Sequence, residues 1–455
     1  MMGDYAEFLK GKATSDEATG LSDIPELNPM LYDFQRDIVR WALRRGRAAI
    51  FADCGLGKTP MQLEWAQHLP GDVLIVAPLA VSKQTIREGD KFGVDVEHSQ
   101  DGNRSGRITI TNYERLHHFN PDDFVGIVLD ESSILKSYTG KYRTELIERW
   151  GSRPFKLACT ATPAPNDYME LGNHSEFIGA MRGSEMLSSF FINDAANVGR
   201  YRVKGHAEGP FWEWMASWAV MMRNPSDLGY NHEEFTLPPL TVHDVIVDAN
   251  QAPEGMLFSF DAHTMSERRA ARKASIKDRV LIVADMVNSS TDSWLVWCDL
   301  NAESDMLKRS IPDAIEVRGS DSEEHKDRAL LGFADNDFRV LVSKPSIAGW
   351  GMNYQHCHKV AFTGLSDSYE SFYQAVRRAW RFGQTNPVDC YVITDRTEGA
   401  VVANIRKKKH HADRMATNMA ARMSHISKGI VRGDKPFARA YQTKHQMEVP
   451  AWLSA

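Results

Sequence analysis

Twice along the chain, short apolar runs alternate with stretches of helical periodicity. The first set is Ala48–Phe51, Val73–Ala77, Ile108–Ile110, Val125–Leu129 and Phe155–Cys159. The second is Trp294–Cys298, Ala314–Val317, Arg339–Val342, Lys359–Phe362 and Val388–Ile393. A strand that is apolar on both sides must be covered on both sides, and the helical stretches between runs supply that cover. The pattern predicts an α/β chain with two parallel sheets in tandem. From about Asp167 to Pro239 the strand pattern gives way to aromatic and Met-rich helical stretches, which end in a linker, Leu237-Pro238-Pro239-Leu240. A helical insertion between the halves is expected there.

Composition narrows the field. With 42% hydrophobic and 25% charged residues, a disordered chain, a collagen-like fibre and a disulfide scaffold are poor readings. The longest apolar run, near Val73 to Val81, falls far short of the ~20 residues of a membrane span. The segment Met1 to Glu7 lacks the basic and apolar regions of a secretory signal. The five cysteines are scattered, with no C-x-x-C pair, which suits reduced thiols in a cytosolic compartment better than a zinc ribbon or redox dithiol. Net charge is −6, unevenly spread: residues 401–455 carry eleven Lys/Arg against three acids, leaving the other 400 residues at −14. A polyanion would have to be held by local basic surface.

The strongest local motif is Ala52-Asp53-Cys54-Gly55-Leu56-Gly57-Lys58-Thr59, between a strand and a helix. Gly55 and Gly57 let the backbone curl until successive N–H groups, Leu56 among them, point at phosphate oxygens. Lys58 brings a point charge to the β/γ-phosphates, and the Thr59 hydroxyl can ligate Mg²⁺. The helix N-terminus adds partial positive charge, and Pro60 sits where a missing N–H costs little. The first position is Ala52, where the strict phosphate-loop pattern has Gly. Alone, the motif predicts nucleotide binding and leaves the reaction open.

Val125–Leu129 runs directly into Asp130-Glu131-Ser132-Ser133. Open α/β sheets bind ligands at the carboxyl edge of their strands, so Asp130 is placed to hold Mg²⁺ through water and Glu131 to polarise an attacking water. The dipeptide by itself is as readily a solvated strand end, and its place after a phosphate loop favours the catalytic pair. Phe155–Cys159 ends similarly in Thr160-Ala161-Thr162-Pro163, a turn or a sensor of the metal-water cluster.

These segments, in this order, resemble superfamily-two helicases and translocases, in particular the Swi/Snf-like branch and its phage- or prokaryote-type members. The resemblance covers about Pro29 to Ala400. It implies two RecA-like domains, and it makes Leu31-Tyr32-Asp33-Phe34-Gln35 the adenine-reading segment, with Gln35 as its glutamine. Val76-Ala77-Pro78-Leu79 and Ile110-Thr111-Asn112-Tyr113-Glu114 are similar to segments that touch one nucleic-acid strand. Ser133 stands where many members have His. Met222-Arg223-Asn224 with Leu237-Pro238-Pro239 resembles the family's interlobe link, and Gly319 through Arg328 to Phe333 resembles a further segment. Gly349-Trp350-Gly351-Met352-Asn353 carries Gly351 into the nucleotide site.

The second half also carries Gln374-Ala375-Val376-Arg377-Arg378-Ala379-Trp380-Arg381-Phe382-Gly383-Gln384. On a helix, Gln374, Arg378 and Arg381 share one face, and two arginines there suit an anion of phosphate geometry. The resemblance implies that Arg378 and Arg381 reach across the cleft to the γ-phosphate, with Arg377 pointing elsewhere. The Phe211, Trp214, Trp218 stripe is expected to be core, as against a base-stacking surface. Arg406 to Lys409 with His410 and His411 reads as a solvated basic stretch, with phosphate contact an open alternative. Cys54 is expected to be an inert small residue.

The expected organisation is a polar arm (1–28), a first RecA-like ATP-binding domain (29–166), a helical insertion and linker (167–240), a second RecA-like domain (241–400) and a basic tail (401–455). The expected activity is an ATP- and Mg²⁺-dependent motor moving along nucleic acid, with duplex DNA as track, as a cytoplasmic monomer in a bacterial or phage-infected cell. A partner nuclease, methyltransferase or replication protein is conceivable beside it. The alternatives are a strand-separating DNA or RNA helicase, a nucleotide-dependent binding switch and, least of all, a phosphate-loop kinase.

Overall fold

The ten apolar runs of the sequence become strands of two larger sheets, one of seven strands and one of six. A computed structural model describes residues 18–104, 106–136, 140–193, 201–247, 272–349, 352–366, 368–396 and 399–433. Gly351, Trp350, most of the N-terminal arm and the end of the basic tail lie outside the described residues.

In the first lobe the strands are β1 (Arg47–Ala52), β2 (Val73–Ala77), β3 (Glu97–His98), β4 (Ile108–Asn112), β5 (Gly126–Asp130) and β6 (Phe155–Thr160). After a small antiparallel hairpin, β7 (Phe191–Asn193) and β8 (Tyr201–Val203), comes β9 (Ala219–Met222). The sheet order is β3-β4-β2-β5-β6-β1-β9, parallel throughout. The second lobe has β10 (Leu240–Val247), β11 (Trp294–Trp297), β12 (Ala314–Val317), β13 (Val340–Ser343), β14 (Lys359–Phe362) and β15 (Val388–Asp395). They pair in parallel as β10-β15-β14-β11-β13-β12. Both lobes are parallel sheets with helices on their faces.

Alternation explains the two-sided cover. In β1 and β2, Phe51, Leu74 and Val76 pack into one cluster, while Ile50, Val73 and Ile75 pack into the cluster on the other side. Side chains one apart point to opposite faces, so every residue of β2, β4, β5 and β6 is buried.

One expectation needs correction. The region from Asp167 to Pro239 is not purely helical. Ala219–Met222 is an edge strand paired with β1 at Ala49↔Ala219 and Ala52↔Met222, and β7 and β8 precede it. Its residues continue the Trp- and Met-rich run of the helix Glu208–Trp218, so only the pairing distinguishes it. Phe211, Trp214 and Trp218 are core as expected, at most 2% exposed, with Phe190 stacked on Trp214 at 5.3 Å.

The basic tail begins as a 33-residue helix, Gly399–Val431. Its apolar side joins both lobes: Ile405 packs into the second-lobe core, while Met415, Met419 and Met423 enter one first-lobe cluster and Ile430 and Val431 the other. Among the described residues no helix is long and apolar enough to cross a membrane.

Candidate functional site

Three strand ends of the first lobe converge, as the carboxyl edge of a parallel sheet requires. β1 delivers the Ala52–Thr59 loop, β5 delivers Asp130 and Glu131, and β6 delivers Thr160 to Pro163. The loop turns through Gly55 at φ +88° and Gly57 at φ +78°, left-handed angles that side chains rarely adopt. Gly57 is the N-cap of the helix Lys58–Gln67, so that helix's first N–H groups face the loop's hollow. A Cβ on Gly57 would stand 2.2 Å from Gln35 Nε2. Lys58 Nζ donates to Ala52 O at 3.0 Å and to Asp53 O at 3.4 Å.

Gln35 lies where the motif implies, beside the loop. Its Nε2 donates to Leu56 O at 3.0 Å, and its Oε1 accepts from Tyr32 N at 3.0 Å, closing the N-terminus of the helix Asp33–Arg45. One side chain thus ties that helix to the phosphate loop.

The acid pair is buried, at 7% and 9% exposure. Asp130 Oδ1 accepts from Gln62 Nε2 at 2.8 Å, and Glu131 Oε2 accepts from Thr160 Oγ1 at 3.2 Å. Tyr113 Oη donates to the Asp130 carbonyl at 2.7 Å. Glu131 sits at φ +55°, a strained conformation for a side-chain-bearing residue and one that clusters at functional sites. Burial pushes both carboxyls above the usual range. For Asp130 the Gln62 hydrogen bond and then the charges of Lys58 and Arg378 pull the other way. For Glu131, Lys58 and Arg378 oppose burial while Asp130 reinforces it. Lys58 of the loop and Arg378 of the other lobe therefore act electrostatically on the same two acids.

Across the seam, the helix Tyr369–Val376 ends before the arginines, which lie in the turns that follow it. Arg378 is buried and donates to Gln374 O and Oε1 at 3.0 Å and to Met352 O at 3.3 Å. Arg381 donates to the same Met352 carbonyl at 3.3 Å. Burial, then repulsion from Arg378, lowers the Arg381 guanidinium to about 9.

Arg377 corrects the sequence reading. It does not point away: its Nη2 lies 2.5 Å from Asp53 Oδ2 in the phosphate loop, and the two side chains are 4% and 12% exposed. Tyr373 Oη donates to Asp53 Oδ1 at 2.6 Å, and Arg377 lies over the Tyr373 and Trp380 rings. Burial would raise the Asp53 carboxyl, yet Arg377 and Tyr373 hold it below its ordinary value. The expected continuous helix through Arg381 stops at Val376, with Arg377 as its C-cap and Arg378 and Arg381 in the turns beyond. Tyr373 and Arg377 take Asp53, while Gln374 and Arg378 lie beside Cys54, whose Sγ is 3.7 Å from Gln374 Oε1. Cys54 is buried.

Further residues at the site escaped the sequence motifs. Phe382 stacks on Phe235 of the linker at 4.4 Å and presses against the loop, where a Cβ on Gly55 would meet its N at 2.8 Å. A cavity of about 500 Å³ runs along this flank, lined by Asp53, Leu56, Phe235, Tyr373, Trp380 and Lys409 among others. His174 Nε2 lies 3.1 Å from Ser132 Oγ, immediately after the acid pair, and burial lowers its imidazole to about 4. Only Phe382, inside the arginine motif, carried a local signal; His174 and Phe235 come from elements that spacing cannot connect.

The helicase conserved C-terminal domain family matches residues 268–383. The SWI/SNF-related matrix-associated actin-dependent regulator of chromatin subfamily A-like protein 1 of Drosophila melanogaster is 22% identical over 428 residues, 85% of this chain and 56% of that protein. The DNA annealing helicase and endonuclease ZRANB3 of Mus musculus is 22% identical over 443 residues, 84% of this chain and 40% of that protein. The chain thus spans about half the length of these relatives. The structure of S. cerevisiae Dbp5 bound to RNA and ADP BeF3 superposes with a TM-score of 0.55 at 11% identity, covering 86% of this chain and 93% of that one. That likeness is one of fold.

Proposed function

We infer that this chain, which belongs to the Swi/Snf-like branch of the superfamily-two helicases and translocases, is an ATP-driven motor that moves along duplex DNA. One observation carries the reading. Across the seam, Arg377 and Tyr373 of the second lobe bind Asp53 in the phosphate loop, and Gln374, which accepts from Arg378, lies 3.7 Å from Cys54, so both lobes build one site.

The roles follow from chemistry and position. The N–H groups of Gly55, Leu56 and Gly57 and the ammonium of Lys58 cradle the β- and γ-phosphates, and Gln35 reads the adenine. Thr59 and Asp130 suit Mg²⁺, a hard cation that prefers a hydroxyl and a carboxylate alongside phosphate oxygens. When bound, that ion supplies charge to the leaving phosphate. Glu131, kept in place by Thr160, accepts a proton from the attacking water. Arg378 and Arg381 neutralise charge that develops on the γ-phosphate, a contribution worth about 10³–10⁵ in rate for such arginines. Gly351 belongs to the nucleotide site by the motif alone. Because the arginines ride on the second lobe, turnover requires closing, and the cycle of closing and opening advances the chain along its track.

The units we assign are an ATP-binding lobe over 29–166, the insertion and linker over 167–240 and the second lobe over 241–400, working in the cytoplasm, where the five reduced, buried thiols are stable. Duplex DNA is preferred over RNA because both relatives matched along most of the chain carry chromatin or DNA in their names. ATPase rates with no nucleic acid, single strands, duplex DNA and duplex RNA test the reading. Stimulation greatest with duplex DNA is expected, and Glu131→Gln should bind ATP without turning it over. A slow rate indifferent to nucleic acid would favour the binding switch, and triplex displacement without duplex unwinding would separate a translocase from a helicase.

A further inference from the structure

The C-terminal helix Gly399–Val431 does two things at once. One side is apolar and buried in both lobes, at Ile405, Met415, Met419 and Met423. The other side is basic. Residues 399–433 hold eight Lys/Arg against the single acid Asp413, in a chain whose net charge is −6. Lys407, His411, Arg414, Asn418, Arg422 and His425 are all exposed. They follow one another at steps of three or four residues, which places them on one face. At 1.5 Å per residue the strip is about 27 Å long.

Of the strip's three Lys/Arg, two stand clear of ion pairs among the described residues. Asp413 turns to the seam, toward Arg223 at 3.7 Å, and Asp244 pairs with Arg406 beside the strip. On the strip itself Arg422 makes a surface pair with Glu208 at 3.1 Å, of the kind worth little in water. The side chains of Lys407, His411, Arg414 and His425 make no ion pair or hydrogen bond among the described residues. Asn418 reaches the Tyr168 hydroxyl.

The strip is separate from the strand-end segments expected to touch nucleic acid. Those follow β2 and β4, whereas the helix packs on β9 at the opposite edge of the sheet. Four strand spacings, about 19 Å, separate β2 from β9.

We propose that this strip is a second nucleic-acid contact that lies along the phosphate backbone of duplex DNA. The proposal rests on the motor reading above. A duplex carries one phosphate charge per ~1.7 Å of axis, and a straight strip of this length matches about eight base pairs. The helix contains no Phe, Trp or Tyr, so it lacks the stacking platforms on which single strands are held. Because its apolar side joins both lobes, the strip keeps hold of the duplex while the lobes work on it.

The test uses the full chain with Lys407→Gln, Arg414→Gln and Arg422→Gln combined, all good helix formers, and Asn418→Lys as the converse. Affinity for a fluorescent duplex is measured against salt concentration. The triple variant should reduce the slope of log affinity against log salt by about 2–3, and Asn418→Lys should raise it by ~1, since each phosphate contact contributes about 0.9. Turnover at saturating duplex should stay at the wild-type value. Unchanged slopes in both variants, or a loss confined to single strands, would overturn the proposal. Failure of the motor reading is distinct: it would show as wild-type ATPase that duplex DNA does not stimulate.

Discussion

Arg377→Met leaves the Asp53 carboxylate in the seam without its cation. The remaining partners are the Tyr373 hydroxyl at 2.6 Å and the Cys54 N–H at 2.7 Å. Stripping one partner from a buried ion pair costs about 3–5 kcal/mol where the interior cannot relax. Here the lobes can part and readmit water, so the penalty falls on closure, and about 3 kcal/mol is its ceiling. At ~1.4 kcal/mol per tenfold, the closed form loses up to about 100-fold. Since hydrolysis requires closure, kcat/KM for ATP should fall by ~10–100-fold in Arg377→Met and comparably in Asp53→Asn. The double variant should fall no further than the worse single one, because residues in direct contact are not additive. In the wild type the folded Asp53 is held below its ordinary value, so the pair's contribution is full at neutral pH and disappears only as pH drops through that depressed value. In Arg377→Met burial is unopposed and the carboxyl rises, so the ratio of variant to wild-type activity should narrow as pH is lowered toward 5. Losses that multiply in the double variant, or wild-type rates in either single one, would refute the coupling of this pair to closure.

The acid pair gives a second expectation. Burial raises both Asp130 and Glu131, and the base must be ionised, so kcat/KM should decline on the acid side at a pH above the ordinary carboxylate range. Lys58→Ala or Arg378→Ala removes a charge that opposes the rise, and a pH profile should show the acid limb moving further up. Gly57→Ala places a Cβ 2.2 Å from Gln35 Nε2 at φ +78°, so nucleotide affinity measured by fluorescent-analogue titration should drop at least tenfold.

The parts of the molecule legible in the sequence are those fixed by local physics. β2 and β5 announce themselves because a strand covered on both sides is apolar throughout, and the phosphate loop because only glycine turns so tightly before a helix. What escaped is set by contacts distant in sequence. Ala219–Met222 reads as more of the preceding helix until it pairs with β1. His174 reaches Ser132 from 42 residues away. A continuous helix would turn Arg377 off the site, yet the helix stops at Val376 and Arg377, its C-cap, reaches Asp53 while Gln374 faces Cys54. The C-terminal charges were visible, but the methionines that fold them into a helix across both lobes follow a pattern that the basic residues masked.

The most direct test of shared catalysis at the seam is single-turnover ATP hydrolysis by Arg378→Ala, with ATP affinity measured on the same preparation. A fall in rate of about 10³-fold or more with affinity little changed is predicted, since the arginine acts on the transition state from the second lobe. Hydrolysis at the wild-type rate with duplex DNA bound would contradict a site built from both lobes.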